Sequence, residues 1–143
     1  MFVYIFLFFL LKFGRIRLTS KEGIYNKMIQ GIGIDAVELP RIKKLIQEKP
    51  KFISRILTPA ELEIFDRLPE KRQIEFLGGR YACKEAFSKA YGTGIGKVTF
   101  QDLEILTNNL GAPVVTQAPF AGQVFVSITH TEDTAFAQII LEK

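Results

Sequence analysis

Residues 31–35 read Gly-Ile-Gly-Ile-Asp, the end of an apolar run that begins at Met28. In a strand, alternate side chains face opposite ways. Ile29, Gly31, Gly33 and Asp35 then share one face, and Gln30, Ile32, Ile34 and Ala36 the other. Asp35 therefore sits beside bare backbone. Glycine weakens a strand and is found in one where a bulge, another backbone or a ligand comes close. Two readings of Asp35 stand side by side: it caps the helix suggested by VELPRIKKLIQ at 37–47, or it belongs to a ligand site.

Downstream, residues 38–48 place Leu39, Ile42, Leu45 and Ile46 at helical spacing, with Arg41, Lys43 and Lys44 on other faces. A second helix starts at Thr58-Pro59-Ala60-Glu61, where the cap, the proline at the first helical position and the glutamate three residues on form a capping-box start. The longest helix runs from about Glu70 to Tyr91 and stops at Gly92. Beyond it the period changes to two. Residues 98–106, 112–118, 123–130 and 134–142 read as strands, joined by the turn signals Asn-Asn-Leu-Gly at 108–111 and Thr-Glu-Asp-Thr at 131–134. The layout is α+β: a first strand and helices, one of them long and central, then a mostly antiparallel sheet.

Composition narrows the chemistry. A chain of 143 residues with 48% hydrophobic content makes one domain of ordinary size. Cys83 is the only cysteine and His130 the only histidine, so an internal disulfide and a zinc site of N and S ligands are both excluded. A metal here would be a hard, oxygen-seeking ion such as Mg²⁺. A Cys–His nucleophile would need Cys83 and His130 to meet, and nothing in their surroundings suggests it. One cysteine favours a reducing compartment, and a cytoplasmic location is expected.

The net charge of +4 invites a nucleic-acid or membrane reading, but it all resides in residues 1–27, with five bases against one acid. The remaining residues carry 14 of each sign, so the core is neutral and the basicity argument fails for it. The run Met-Phe-Val-Tyr-Ile-Phe-Leu-Phe-Phe-Leu-Leu at 1–11 is too short to span a bilayer as a helix, which takes about 20 residues. It has neither the leading positive charge nor the cleavage site of a signal peptide. Met28 stands directly before the first strand, and Lys21-Glu22-Gly23 is encodable by AAGGAGG, which resembles a bacterial ribosome-binding sequence. Residues 1–27 are therefore expected to be translated upstream DNA, with 28–143 as a single domain. A membrane-surface anchor is the competing reading of that extension.

Glu85 lies on the long helix among core-type side chains, Tyr81, Ala82, Ala86 and Phe87. It has a plain structural explanation as the first half of an i,i+4 pair with Lys89. The Gly-x-Gly-x-Gly at 92–96 lacks the spacing of a dinucleotide loop.

Taken together, GIGIDAVE at 31–38, FISRILTPAELEIF at 52–65, EKRQIEFLGGRYACKEAFSKAYGTGIG at 70–96 and SITHT at 127–131 resemble the holo-[acyl-carrier-protein] synthases, the small class of 4'-phosphopantetheinyl transferases. The resemblance covers Met28 to Lys143, with the four motifs in family order. It implies transfer of the phosphopantetheine arm of coenzyme A to a serine of apo acyl carrier protein, releasing adenosine 3',5'-bisphosphate, in the service of fatty acid biosynthesis. By the same resemblance Asp35 and Glu85 are the catalytic carboxylates and the ligands of a Mg²⁺ that also holds the pyrophosphate. Mg²⁺ suits that role, because it typically takes one or two carboxylates and fills its shell with water and phosphate.

Lys71, Arg72, Arg80, Lys84 and Lys89 become candidates for the phosphates of coenzyme A, against the plain alternative of a solvated helix face. His130 borders the coenzyme pocket in this family. Arg41, Lys43, Lys44, Lys51 and Arg55 fit docking of an acidic carrier protein. The resemblance also implies a homotrimer with sites at subunit interfaces. A nucleic-acid module built on the basic first helix is the rival class, and the neutral core and lack of an exposed aromatic platform count against it.

Overall fold

The computed structural model describes residues 27–143. The apolar run at 1–11 and the reading of residues 1–27 as upstream translation lie, apart from Lys27, outside the described residues. In chain order the elements are β1 (Ile29–Glu38), α1 (Leu39–Glu48), α2 (Pro50–Ile56), α3 (Pro59–Asp66), α4 (Glu70–Tyr91), a 3-10 turn (Phe100–Asp102), β2 (Glu104–Thr107), β3 (Pro113–Gln117), β4 (Gln123–His130) and β5 (Thr134–Glu142). This is the expected α+β order. The strands form two antiparallel sheets, one of three strands in the order β1-β5-β4 and one of two, β2-β3.

The glycines of β1 explain how the fold closes. A Cβ on Gly33 would run into the carbonyl oxygen of Ala86, and one on Gly31 into that of Ala90. The strand therefore lies with its backbone directly against α4, as its glycine face permits. Val37 continues that face and is buried. On the opposite face Ile32 and Ile34 are 59% and 63% exposed. A second close approach is at Gly78, where a Cβ would stand 2.7 Å from Leu39 Cδ2. Leu77, Ala82, Cys83, Ala86 and Phe87 line the buried side of α4, and Ile139 and Leu141 of β5 meet them in the core.

The caps follow the sequence closely. Thr58 and Glu61 form the full capping box of α3, and α4 ends at Gly92 with φ 78°, the left-handed region that favours glycine. Glu38, not Asp35, occupies the position before α1, and it makes no side-chain cap. Asp35 is thus three residues inside the strand, which removes the capping explanation for it.

One expectation needs correction, and one element was not foreseen. Residues 98–106 are not one strand: Asp102 accepts hydrogen bonds from the backbone and hydroxyl of Thr99, winding Phe100–Asp102 into a 3-10 turn and leaving Glu104–Thr107 to pair. The short helix α2 has no counterpart in the periodicity. Pro50 starts it, and the Gln101 side chain donates to the carbonyls of Ser54, Arg55 and Leu57 at its far end.

Candidate active site

Asp35 in β1 and the stripe Tyr81, Glu85, Lys89 on α4 come together where strand and helix pack most closely. The stripe positions are spaced four apart and so lie one above the other. Lys89 Nζ donates to Asp35 Oδ1 at 2.6 Å and to the Ile34 carbonyl at 3.2 Å. Its ammonium thus crosses to the strand and does not serve the i,i+4 pairing with Glu85. Asp35, Glu85 and Tyr81 are each half-buried and Lys89 is exposed. The Tyr81 phenol is pushed above its ordinary range, first by burial and then by the charge of Glu85. Arg41 of α1 opposes that shift and Asp35 adds to it, so with Lys89 five charged or titratable groups from three elements share one patch.

The pair suits a hard divalent ion. Both side chains are carboxylates, they come from two apposed elements, and Asp35 already holds a cation in the form of Lys89. Among the described residues no group of three or more His, Cys, Asp or Glu side chains converges as a metal site, so further oxygens would have to come from water or a phosphate ligand.

A second stripe on α4, Arg72, Phe76 and Arg80, lies on another face, its middle residue Phe76 being nine residues and so about 180° from Glu85. It lines a cavity of about 380 Å³ whose other walls include Gly79, Ile128 and His130, with Thr107, Gly111 and Pro113 from the β2–β3 hairpin. Arg80 is buried, with its guanidinium 4.3 Å from the centre of the Phe76 ring. Its Nε has no hydrogen-bond partner, and the nearest carboxylate oxygen, on Glu61, is 3.8 Å away. Burial lowers the Arg80 pKa, with Cys83 and Glu61 acting in the opposite sense. Glu75 shares the cavity: it takes Arg72 Nη1 at 2.6 Å and lies 3.8 Å from His130 Nε2.

A third feature is the groove between α1 and α2. It measures about 530 Å³, has Leu45, Pro50 and Phe52 among its lining residues, and carries Lys49, Lys51 and Arg55. Arg41 and Lys44 are exposed on the neighbouring helix face, Lys44 lying 3.9 Å from Glu48. Lys43 sits 3.9 Å from Glu70.

Most candidate residues therefore fall into three places: Asp35, Glu85 and Lys89 at the strand–helix contact; Arg72, Arg80 and His130 in the cavity; Lys51 and Arg55 at the groove. Lys71 stands apart, exposed beside Leu39, Lys43 and Ile74. Lys84 departs from the expectation. It is 1% exposed, and its ammonium donates to the Ile56 carbonyl at 2.6 Å, to Glu61 Oε2 at 2.7 Å and to the Phe100 carbonyl at 2.8 Å. With three acceptors its donors are used up. It ties α2, α3 and the 3-10 turn to α4 and has none left for a phosphate.

The sequence reading missed the burial of Glu61, whose Oε1 accepts from the Ile105 N–H at 2.8 Å. As a capping residue it looked local, and its other partners are 23 and 44 residues away. It also missed Glu75 and Tyr81. The Arg72–Glu75 spacing was the available signal for Glu75, and the Tyr81–Glu85 spacing for Tyr81.

The sequence matches the family described as the 4'-phosphopantetheinyl transferase superfamily over residues 31–139. The chain belongs to that superfamily. Within it the relatives are holo-[acyl-carrier-protein] synthases. That of Enterococcus faecalis is 65% identical over 115 residues, covering 80% of this chain and 98% of the relative. The crystal structure of the Bacillus anthracis synthase in complex with CoA (3',5'-ADP) superposes with a TM-score of 0.76 at 45% identity, over 81% of this chain and 98% of that one. The Helicobacter pylori synthase in complex with coenzyme A gives a TM-score of 0.67 at 32% identity, over 77% and 98%. The chain is an enzyme of this transferase family, with its α+β fold. Among the described residues no helix is long and apolar enough to cross a membrane.

Proposed function

We propose that this enzyme transfers 4'-phosphopantetheine from coenzyme A to a serine of apo acyl carrier protein, in the cytoplasm and for fatty acid biosynthesis. The observation that carries the proposal is the contact of Asp35 in β1 with Lys89 of the α4 stripe that also bears Glu85, where the glycines of β1 lie against α4, in a chain that is 65% identical to a named synthase. In the reaction the serine oxygen forms a bond to the β-phosphorus of coenzyme A. The bond from that phosphorus to the bridging oxygen breaks, adenosine 3',5'-bisphosphate departs, and the serine proton is released. The nucleophile belongs to the carrier, so the chain has only to position and neutralise charge.

Asp35 and Glu85 would hold Mg²⁺, which supplies charge neutralisation on the pyrophosphate. Lys89, half exposed, is placed to move from Asp35 to a phosphate oxygen. Arg72, Arg80 and His130 would take the remaining phosphate and the nucleotide end in the cavity, where the unpartnered Nε of Arg80 leaves positive charge uncompensated. Lys71 lies outside that cavity, beside Lys43 and Ile74. The groove with Lys51 and Arg55, together with Arg41 and Lys44, would receive the acidic carrier.

The carboxylates and the cavity lie on different faces of α4 and next to opposite edge strands, β1 and β4, of the three-stranded sheet. One extended coenzyme engages both most simply when they come from neighbouring copies. The outer sheet face supports such assembly. Ile32, Ile140 and Phe125 stand in one row across β1, β5 and β4, and Ala36, Phe136 and Thr129 in another. Phe125 is 48% exposed. We take the assembly to be the homotrimer that the family resemblance implies.

The test is to incubate the protein with coenzyme A, Mg²⁺ and apo carrier protein and weigh the carrier by mass spectrometry. Gain of one phosphopantetheine arm is expected, and a carrier of unchanged mass would overturn the assignment.

A further inference from the structure

The cavity that carries Arg72, Arg80 and His130 has one acid among its lining residues, Glu75. A site for phosphate gains no affinity from a carboxylate of its own, since like charges placed together oppose binding. Glu75 is nonetheless set firmly in the wall. Its side chain is 12% exposed, against 60% for Arg72. One oxygen, Oε2, accepts a hydrogen bond from Arg72 Nη1 at 2.6 Å and lies 3.8 Å from His130 Nε2, so a single acidic oxygen faces two of the three basic groups. Arg72 stands three residues before Glu75 on α4, a spacing at which side chains meet, so its exposed guanidinium can leave the carboxylate by rotating its own side chain. The third base is left out: Arg80 is buried against the Phe76 ring, and its Nε has no partner. Glu75 therefore holds the exchangeable part of the positive wall and leaves the fixed part unclaimed.

We propose that Glu75 is a built-in competitor for the phosphate at the nucleotide end: its carboxylate stands in for that anion, holds Arg72, and yields the guanidinium when a phosphate arrives. The role rests on the transferase reading above and adds a control on affinity to it. Arg80 supplies a fixed charge and Arg72 one that is shared between the carboxylate and the ligand. Any ligand bearing that phosphate binds less tightly than the basic residues alone would allow. The leaving product, adenosine 3',5'-bisphosphate, is such a ligand, and the return of Arg72 to Glu75 favours its release.

The experiment is calorimetric binding of adenosine 3',5'-bisphosphate to the wild-type enzyme and to Glu75→Gln, which keeps the shape of the side chain and removes its charge. The dissociation constant is expected to fall on the order of three- to tenfold in the variant. Its melting temperature should stay near the wild-type value, because a helical i,i+3 pair contributes little. Dephospho-coenzyme A, which lacks the phosphate in question, should bind both proteins alike. Glu70→Gln removes a charge from the same helix outside the cavity, 3.9 Å from Lys43, and should leave nucleotide affinity unchanged. In an Arg72→Gln background, Glu75→Gln should tighten binding by a smaller factor, because the contested guanidinium is gone. Unchanged or weaker binding in Glu75→Gln, equal tightening in Glu70→Gln or for dephospho-coenzyme A, or full tightening in the Arg72→Gln background would overturn the competitor role while leaving the transferase reading in place. A wild-type enzyme that binds no nucleotide and transfers nothing would overturn both, so the wild-type measurement tells the two failures apart.

Discussion

Lys89 Nζ lies 2.6 Å from Asp35 Oδ1 and joins the last turn of α4 to the middle of β1. The ammonium is half exposed, so this contact contributes little to stability, on the order of 0–1 kcal/mol. What it shows is a carboxylate that draws in positive charge from a half-exposed side chain.

Lys89→Ala should therefore leave the melting temperature nearly unchanged while raising KM for coenzyme A on the order of tenfold, through loss of one charge-assisted hydrogen bond to phosphate. Steady-state kinetics with the carrier held saturating would measure this.

Lys84 behaves oppositely. Replacing it by Met strands the fully buried Glu61 carboxylate without its nearest cation, and the cost should be about 3–5 kcal/mol in chemical denaturation. Burial lowers the Lys84 pKa, and Glu61 works against that shift. The double variant Glu61→Gln/Lys84→Met should recover part of the loss. In whatever folded enzyme survives, KM for coenzyme A should stay near the wild-type value, since Lys84 has no donor to offer the phosphates.

Cys83 gives a prediction at alkaline pH. Burial pushes its thiol up from 9.0 to about 12, while in the unfolded chain it ionises in the ordinary range. The folded state keeps the proton that the unfolded state loses. The associated stability is complete below pH 9 and is lost as pH rises to about 12, at about 1.4 kcal/mol per pH unit within that window. Denaturation midpoints across this range should slope less steeply in Cys83→Ala. The thiol of the folded protein should also resist alkylation.

The carrier surface can be tested separately. Arg41 and Lys44 are exposed on α1 while Leu39 and Ile42 of the same helix are buried. Reversing both cations to Glu should raise KM for the carrier far more than KM for coenzyme A, because rim charges act chiefly on association. Wild-type transfer should weaken with ionic strength as the screening length falls below about 10 Å, and the double variant should lose most of that dependence. Equal losses for both substrates would place α1 in support of the catalytic pocket.

Where a feature depended on local pattern, the sequence was a good guide. The alternation that put Gly31, Gly33 and Asp35 on one face is the alternation that lets β1 lie on α4. The capping box at Thr58, the stop at Gly92 and the last two strands likewise follow from neighbours in the chain. The misreadings share a different cause. Thr99 and Asp102 diverted an alternating segment into a turn, which periodicity alone does not register. Lys84 looked like any solvated lysine beside Glu85, and only its long-range partners Glu61, Ile56 and Phe100 reveal it as buried. The split of the candidate residues between two faces of α4 was likewise invisible until helix and sheet were placed together.

The central claim is that Asp35 and Glu85 act as a pair on the coenzyme. Glu85→Gln and Asp35→Asn keep shape while each removes one charged oxygen. Both groups are partly exposed, so circular dichroism and the melting temperature should change little. The decisive measurement is the rate at which each variant loads apo carrier protein from coenzyme A at limiting Mg²⁺, followed by the mass of the carrier. We predict a loss on the order of a hundredfold or more in each. Near-normal turnover by either folded variant would contradict the account.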